Sequence, residues 1–417
     1  MAHTPHEQRV IEFVDDQRES LVQCAKDLIA APSPNPPGDE RLAAEVAKVN
    51  LARLGIDNIE LHGPRPERAN LVCSLDSGNP GPTLLLNGHL DTKPAIPLEA
   101  WLTDPYEPVE KDGRLIGLGA ADMKGPDAAL IYGLAAVRPV LTGLKGRVIL
   151  ALSADEEGAF IDGARYLVQE LGLRADAALI AEPIGIRCAW EMIPLISRGI
   201  SCIRFHILGT QVHSSLSDRL PVVNASLEAG RLLMFLEQNL KLCYPENSLC
   251  PGGPTINLGA TLQSGSAYAM VAGEAEFTVD IRTLPGMTQR QLQEDIDRVV
   301  EEFHRQYPRA EVSWEFFEGT RAWSEPMQIS PDLPIVRALQ NAAGNVLGAV
   351  PPLGYFPGGT DAIWWQGAGG IPTIPGFGPG RLADCHQPNE SILINEIIEA
   401  AKIYGLLILN YLQDLEE

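Results

Sequence analysis

Short apolar runs separated by helix-like stretches are the feature that most narrows what this chain can become. Asn70 to Leu75, Thr83 to Leu86, Arg147 to Leu152 and Ala177 to Ala181 each read as a buried strand. Between the last three, Asp127 to Val137 and Ile161 to Leu171 place apolar residues at helical spacing. Strand alternating with helix predicts an α/β fold, a mostly parallel sheet with helices on its faces. Upstream, Val10, Val14, Leu21, Val22, Ala25, Leu28 and Ile29 recur at helical spacing, as do Leu42, Ala43, Val46, Val49 and Leu54 beyond a Pro-rich break at Pro32 to Pro37.

Near Ser197 the rhythm changes. A strand (Ile200 to Leu208), a helix (Pro221 to Leu242, with proline in its first turn), two strands (Thr255 to Leu262, Met270 to Leu284), a helix (Gln289 to Tyr307) and a strand (Glu311 to Phe317) form an α+β pattern of domain size. A helix over Leu333 to Leu347, a Gly/Pro-rich run from Gly354 to Gly380 and a long helix from near Asn389 follow. The expected organisation is a discontinuous α/β domain, residues 1–196 and 319–417, with a second α+β domain inserted at residues 197–318.

Charge narrows the partners. The 417 residues carry 54 acidic and 32 basic side chains, a formal charge of -22, which disfavours nucleic acid and anionic membrane surfaces. The opening residues lack the apolar core of a signal peptide, and no uncharged run is long enough for a bilayer, so a soluble cytoplasmic protein is expected. Seven scattered cysteines without a CxxC pair suit a reducing compartment.

The chemistry gathers where strands stop, which in open α/β sheets is where ligands bind. Leu84 to Leu86 run into Asn87-Gly88-His89-Leu90-Asp91; residues two apart share a face, so Asp91 can hold the His89 ring and set which nitrogen is free. Gly117 to Gly125 superficially resembles a phosphate loop, but Asp122 stands at the third-glycine position and Lys124 lacks the Walker context. Asp155, Glu156 and Glu157 follow the Val148 to Leu152 run, and three adjacent carboxylates at a strand end call for a cation or for solvent. Glu182 follows Ala178 to Ala181, and His386 precedes the last helix. No GxSxG elbow points to a serine hydrolase.

Taken together and in this order, these segments resemble the two-zinc aminoacylase-type metallohydrolases, the family of acetylornithine deacetylase, succinyl-diaminopimelate desuccinylase and carboxypeptidase G. GHLDTKP is similar to GHxDxxP, GLGAADMKG to GRGxxDxKG, with Leu118 in place of arginine, ADEEGA to TxDEExG, and IAEP and CHQPNES to its later acid and histidine segments. The resemblance implies a catalytic metal-binding domain with an inserted lid and dimerisation domain, and two divalent ions, zinc first, with cobalt or manganese as options. It implies His89 and Glu182 on one ion, Glu157 and His386 on the other, Asp122 bridging, and Glu156 as general base, with Asp91 kept as the residue that the spacing sets to orient His89. Water held between two such ions is acidified, from a pKa of 15.7 to about 7 at best, for attack on an amide carbonyl. His213 in GTQVHSS is implied as an oxyanion donor across a homodimer interface. Asn257, Arg282, Gly358, Gly359 and Thr360 are implied in substrate binding, the loop at 358–361 taking a carboxylate. The expected activity is hydrolysis of a small N-acylated amino acid or related amide. A dipeptidase, carboxypeptidase or carbamoyl-amide hydrolase, and a non-catalytic binding protein on the same fold, are the alternatives.

Overall fold

The computed structural model describes residues 3–413. Contacts divide the chain into two units. One takes the chain through Ile196 together with Gln328–Phe356 and the part from Thr360 onward; the other is Ser197–Met327 with Pro357–Gly359.

The first unit is built on a six-stranded sheet in the order Ile59–His62, Asn70–Asp76, Arg147–Ser153, Thr83–His89, Ala177–Ile180, Thr373–Ile374. The last four run parallel; the first two pair antiparallel with their neighbours. Alternation sends Leu85, Ile149, Ala151, Ala178 and Ile180 to one face, where they pack on Ala164, Leu167, Val168 and Trp365. The helix Lys124–Ala136 is buried along its whole length. It meets the terminal helix Ile394–Leu412 so closely that a Cβ on Gly133 would lie 2.8 Å from Tyr404 Cβ and 2.9 Å from Ala401 O. The sequence places the start of that terminal helix near Asn389. Instead Ser391–Leu393 first pairs as a strand with Arg114–Ile116, and the helix begins at Ile394.

The second unit is an antiparallel sheet in the order Thr255–Ser264, Glu274–Thr283, Gly199–Leu208, Glu311–Phe316. Gly199–Leu208 alternates buried with half-buried residues, so Ile203, Phe205 and Ile207 join Phe277, Val279 and Ile281. Phe205 stacks on Phe277 at 4.9 Å between centroids. The helices Ala225–Asn239 and Gln289–Gln306 supply Leu232, Leu236, Leu292, Ile296 and Phe303 to the same core. The first of them starts later than its proline suggests, because the Asn224 side chain accepts from the amides of Ser226 and Leu227 and caps it there. The unit runs on to Met327 because Ser324 exchanges main-chain hydrogen bonds with Ile200, at 2.8 and 3.2 Å, and Ser201 Oγ donates to Ala322 O.

Candidate metal centre and active site

Three neighbouring parallel strands end at one place. Register sets His89 beside Ser153 and Asn87 beside Ile180, so His89, the Ala154–Glu157 turn and Glu182 leave the sheet side by side. Asp122 comes from the turn leading into the Lys124–Ala136 helix, where Glu390 Oε1 accepts from Ala121 N at 2.8 Å and Asp122 N at 3.0 Å. His386 follows the short turn Leu382–Asp384.

Each of these side chains meets a complementary one. His89 Nδ1 lies 3.0 Å from the main-chain oxygen of Asp91, which can only accept, so Nδ1 carries a proton and Nε2 is the nitrogen turned toward the acids. Nε2 faces Asp122 Oδ1 at 3.1 Å, Glu182 Oε1 at 3.5 Å and Glu156 Oε2 at 4.0 Å. On the other side His386 Nε2 faces Asp122 Oδ2 at 3.1 Å and Glu157 Oε1 at 2.7 Å. Asp122 therefore gives one oxygen to each histidine. Two trios result, His89, Asp122, Glu182 and Asp122, Glu157, His386, with the ligand atoms of each within 4.8 Å of one another.

The electrostatics are those of crowded acids. Burial, followed by the charges of Glu182 and Glu157, pushes the Glu156 carboxyl well above its ordinary range. Burial and then Asp122 push Glu182 up to about 7. Asp122 goes the opposite way: burial would raise it, but hydrogen bonds with His386 and His89 together hold it low. His386 rises to about 10, since Asp122 and Glu157 outweigh the effect of burial. The arrangement fits divalent cations: nitrogen and oxygen donors converge, acids outnumber the facing cations, and one carboxylate spans both trios.

The carboxylate of Asp91 does something the HxD spacing does not announce. Its nearer oxygen is 3.6 Å from His89 Nδ1, while its two oxygens accept from Glu156 N at 3.1 Å and Glu157 N at 3.0 Å. Lys93, inside GHLDTKP yet unremarked from sequence, places Nζ 3.0 Å from Glu157 Oε2. Asp361 is buried and accepts from Ser153 Oγ at 2.7 Å. Glu390, immediately before the last short strand Ser391–Leu393, carried no signal beyond its place in CHQPNES.

The candidates for substrate contact divide between the two units. His213, Asn257, Arg282, Gly358 and Gly359 belong to the second unit and Thr360 to the first. His213 is exposed and its Nδ1 lies 2.8 Å from Ser215 Oγ; Arg282 is held by Asp280 at 2.9 Å. Asn257 is exposed opposite Asp280, and Thr360 is buried with its hydroxyl accepting from Ala362 N at 3.2 Å.

Comparison with known proteins agrees with this geometry. The model of peptidase family M20/M25/M40 matches residues 85–410, most of the chain and every member of the two trios. The chain belongs to that family. Within it, the M20 chain is 29% identical over 403 residues to acetylornithine deacetylase of Proteus mirabilis, covering 94% of this chain and 97% of the relative. It is 26% identical over 412 residues to N-formyl-4-amino-5-aminomethyl-2-methylpyrimidine deformylase of Bacillus subtilis, covering 94% of each. Its fold is that of the M20 family metallo-carboxypeptidase Sso-CP2 from Sulfolobus solfataricus, at a TM-score of 0.73 and 18% identity, over 94% of this chain and 99% of that one. This M20 protein is a hydrolase with the mixed α/β architecture expected from its strand and helix pattern.

Proposed function

We propose that this chain removes an acyl group from the nitrogen of a small amino acid or related carboxylate-bearing amide. The observation that carries the reading is the sharing of Asp122 between the two trios. In this reading His89 and Glu182 hold one divalent ion, Glu157 and His386 the other, and Asp122 bridges, with zinc favoured and cobalt or manganese suited to the same donors. Bound there, the ions supply polarisation of the scissile carbonyl and acidification of the attacking water.

The protein's own residues do the rest. Glu156, raised by burial among like charges, takes the water's proton and returns it to the departing nitrogen. Asp91 orients His89 by its main-chain oxygen and the base-bearing turn by its carboxylate. His213 steadies the oxyanion from across a homodimer interface formed by the second unit, the lid and dimerisation domain. Asn257, Arg282, Gly358, Gly359 and Thr360 hold the substrate, with Arg282 as the carboxylate fork. A cytoplasmic setting suits the seven free cysteines. The deacetylase and deformylase relatives both act, by name, on acylated nitrogen, which supports deacylation over the carboxypeptidase alternative.

A panel of acetyl, formyl, succinyl, carbamoyl and aminoacyl amides, assayed for amine release, tests the reading. Activity should vanish with a chelator and return with zinc, cobalt or manganese. Glu156→Gln should keep both ions and lose about 10²-fold or more in kcat, the lower range for general base catalysis. Full turnover by metal-free protein would sink the reading.

A further inference from the structure

Behind the donor cluster lies a second, deeper set of polar groups. Asn35, in the Pro-rich segment before the helix Arg41–Arg53, is buried. Its main chain is pinned next to the end of the Thr83–His89 strand: Asn35 N donates to Thr92 O at 2.8 Å and Thr92 N to Ser33 O at 3.1 Å. From there its side-chain nitrogen donates twice, to Asp91 Oδ2 at 2.9 Å and to Asp155 Oδ1 at 2.9 Å. Asp91 accepts the amides of Glu156 and Glu157, and Asp155 accepts those of Ala159, Ile161 and Asp162. One amide group thus ties together the two carboxylates that shape the turn bearing Glu156 and Glu157.

The other end of Asn35 is anchored too. Its Oδ1 accepts from Arg68 Nη2 at 3.3 Å, and Arg68, also buried, pairs with Glu40 at 2.6 Å. Space is equally committed, since a Cβ on Gly158 would lie 2.3 Å from Asn35 Nδ2. A primary amide satisfies both sides of this position. Two carboxylates require donors on one side, while a guanidinium requires an acceptor on the other. Aspartate would offer no donor and would add a third buried carboxylate.

We propose that Asn35 is a positioning residue of the active site: through Asp91 and Asp155 it fixes the main chain on which Glu156 and Glu157 stand. The proposal rests on the reading of Glu156 as the base. Asn35 acts on the orientation of that base, so its removal should cost turnover and leave ground-state binding alone.

Asn35→Ala and the isosteric Asn35→Asp test this against wild type, on whichever panel amide wild type cleaves fastest, with metal content measured after dialysis and hydrogen exchange followed by peptide. Expected is a fall in kcat of about 10²-fold, the scale set by a misplacement of about 1 Å, with KM within about threefold. Bound ions per chain should stay the same. Amides in 154–158 should exchange faster while those of the Arg147–Ser153 strand do not. A raised KM with unchanged kcat, loss of ions in step with kcat, or unaltered exchange in 154–158 would overturn the proposal. Asn35→Asp preserves side-chain volume but adds a buried charge, so the urea midpoint of each variant is measured alongside to separate loss of folding from loss of positioning. Should wild type cleave nothing in the panel, the functional reading fails, and the exchange data still decide whether Asn35 holds the turn.

Discussion

Asp127 shows how strongly burial governs single residues in this protein. It stands in the first turn of the Lys124–Ala136 helix, fully buried, with no hydrogen-bond partner for either carboxylate oxygen. One of those oxygens occupies the space that a Cβ on Gly88 would need, at 2.0 Å, so strand and helix approach through a glycine there. Burial pushes the Asp127 carboxyl well up, and the nearby charges of His89 and Lys124 offset this only in part. The folded protein therefore keeps a proton that the unfolded chain releases near pH 4. Stability contributed by this proton is complete below that pH and is lost as pH rises toward the folded value. Asp127→Asn, which mimics the protonated form, should stabilise at pH 7 by about 1–3 kcal/mol and by little at pH 4. Urea denaturation at the two pH values measures this, and an equal effect at both would contradict the assigned ionisation.

At the scale of elements, the buried helix Lys124–Ala136 and the terminal helix Ile394–Leu412 of the first unit pack closely through a glycine. Gly133 faces a Cβ and a carbonyl oxygen, neither of which can swing away as a long side chain can. Gly133→Val should destabilise by about 1–3 kcal/mol or more through overpacking, read as a lower urea midpoint with unchanged slope. The same helix carries the Asp122 turn at its head, so activity should fall along with stability. Both helices and three of the four parallel strands are legible as apolar stretches of helix or strand length, because burial on all sides leaves near-continuous runs; the fourth, Thr373–Ile374, is hidden in the Gly/Pro-rich segment. Their ends are less legible. The Asn224 cap and the pairing of Ser391–Leu393 with Arg114–Ile116 depend on a local side-chain hydrogen bond and on a distant partner, and neither alters hydrophobic spacing. The candidate donors His89, Glu157 and Glu182 follow strand ends and stand out for that reason, whereas Asp122 and His386 stand on turns and are singled out by the resemblance. Asn35 and Lys93 act through neighbours far away in sequence, and isolated polar residues near prolines look like ordinary loops.

At the scale of the whole molecule, the formal charge of -22 leaves an excess of acids that the donor cluster absorbs only in part. A field of that sign repels an anionic substrate at long range, so added salt should raise kcat/KM for a carboxylate-bearing amide. A fall with salt would show instead that local cations dominate capture. The proposed dimer has its own test in mixed subunits. Combining His213→Ala with Glu156→Gln in equal amounts leaves one intact site in each heterodimer if His213 serves the neighbouring site. Random pairing should then recover about a quarter of wild-type activity, since half of the dimers are mixed and each has one competent site. No recovery would confine His213 to its own subunit.

The donors are widely spaced along a chain interrupted by a second unit, and this has a consequence for synthesis. His89, Asp122, Glu157 and Glu182 leave the ribosome early, but His386 and the strand Thr373–Ile374 that closes the sheet come only after the whole of Ser197–Met327. With translation at about 5–20 residues per second, roughly two hundred residues pass between Glu182 and His386, a wait of about 10–40 s. During that interval one trio is already encoded in the emerged chain and the other cannot exist. The second unit, whose strands and helices are contiguous apart from Pro357–Gly359, can settle while the first unit still lacks its edge strand and terminal helix. A nascent chain stalled before His386 should therefore be open to proteolysis in its first unit and protected in its second.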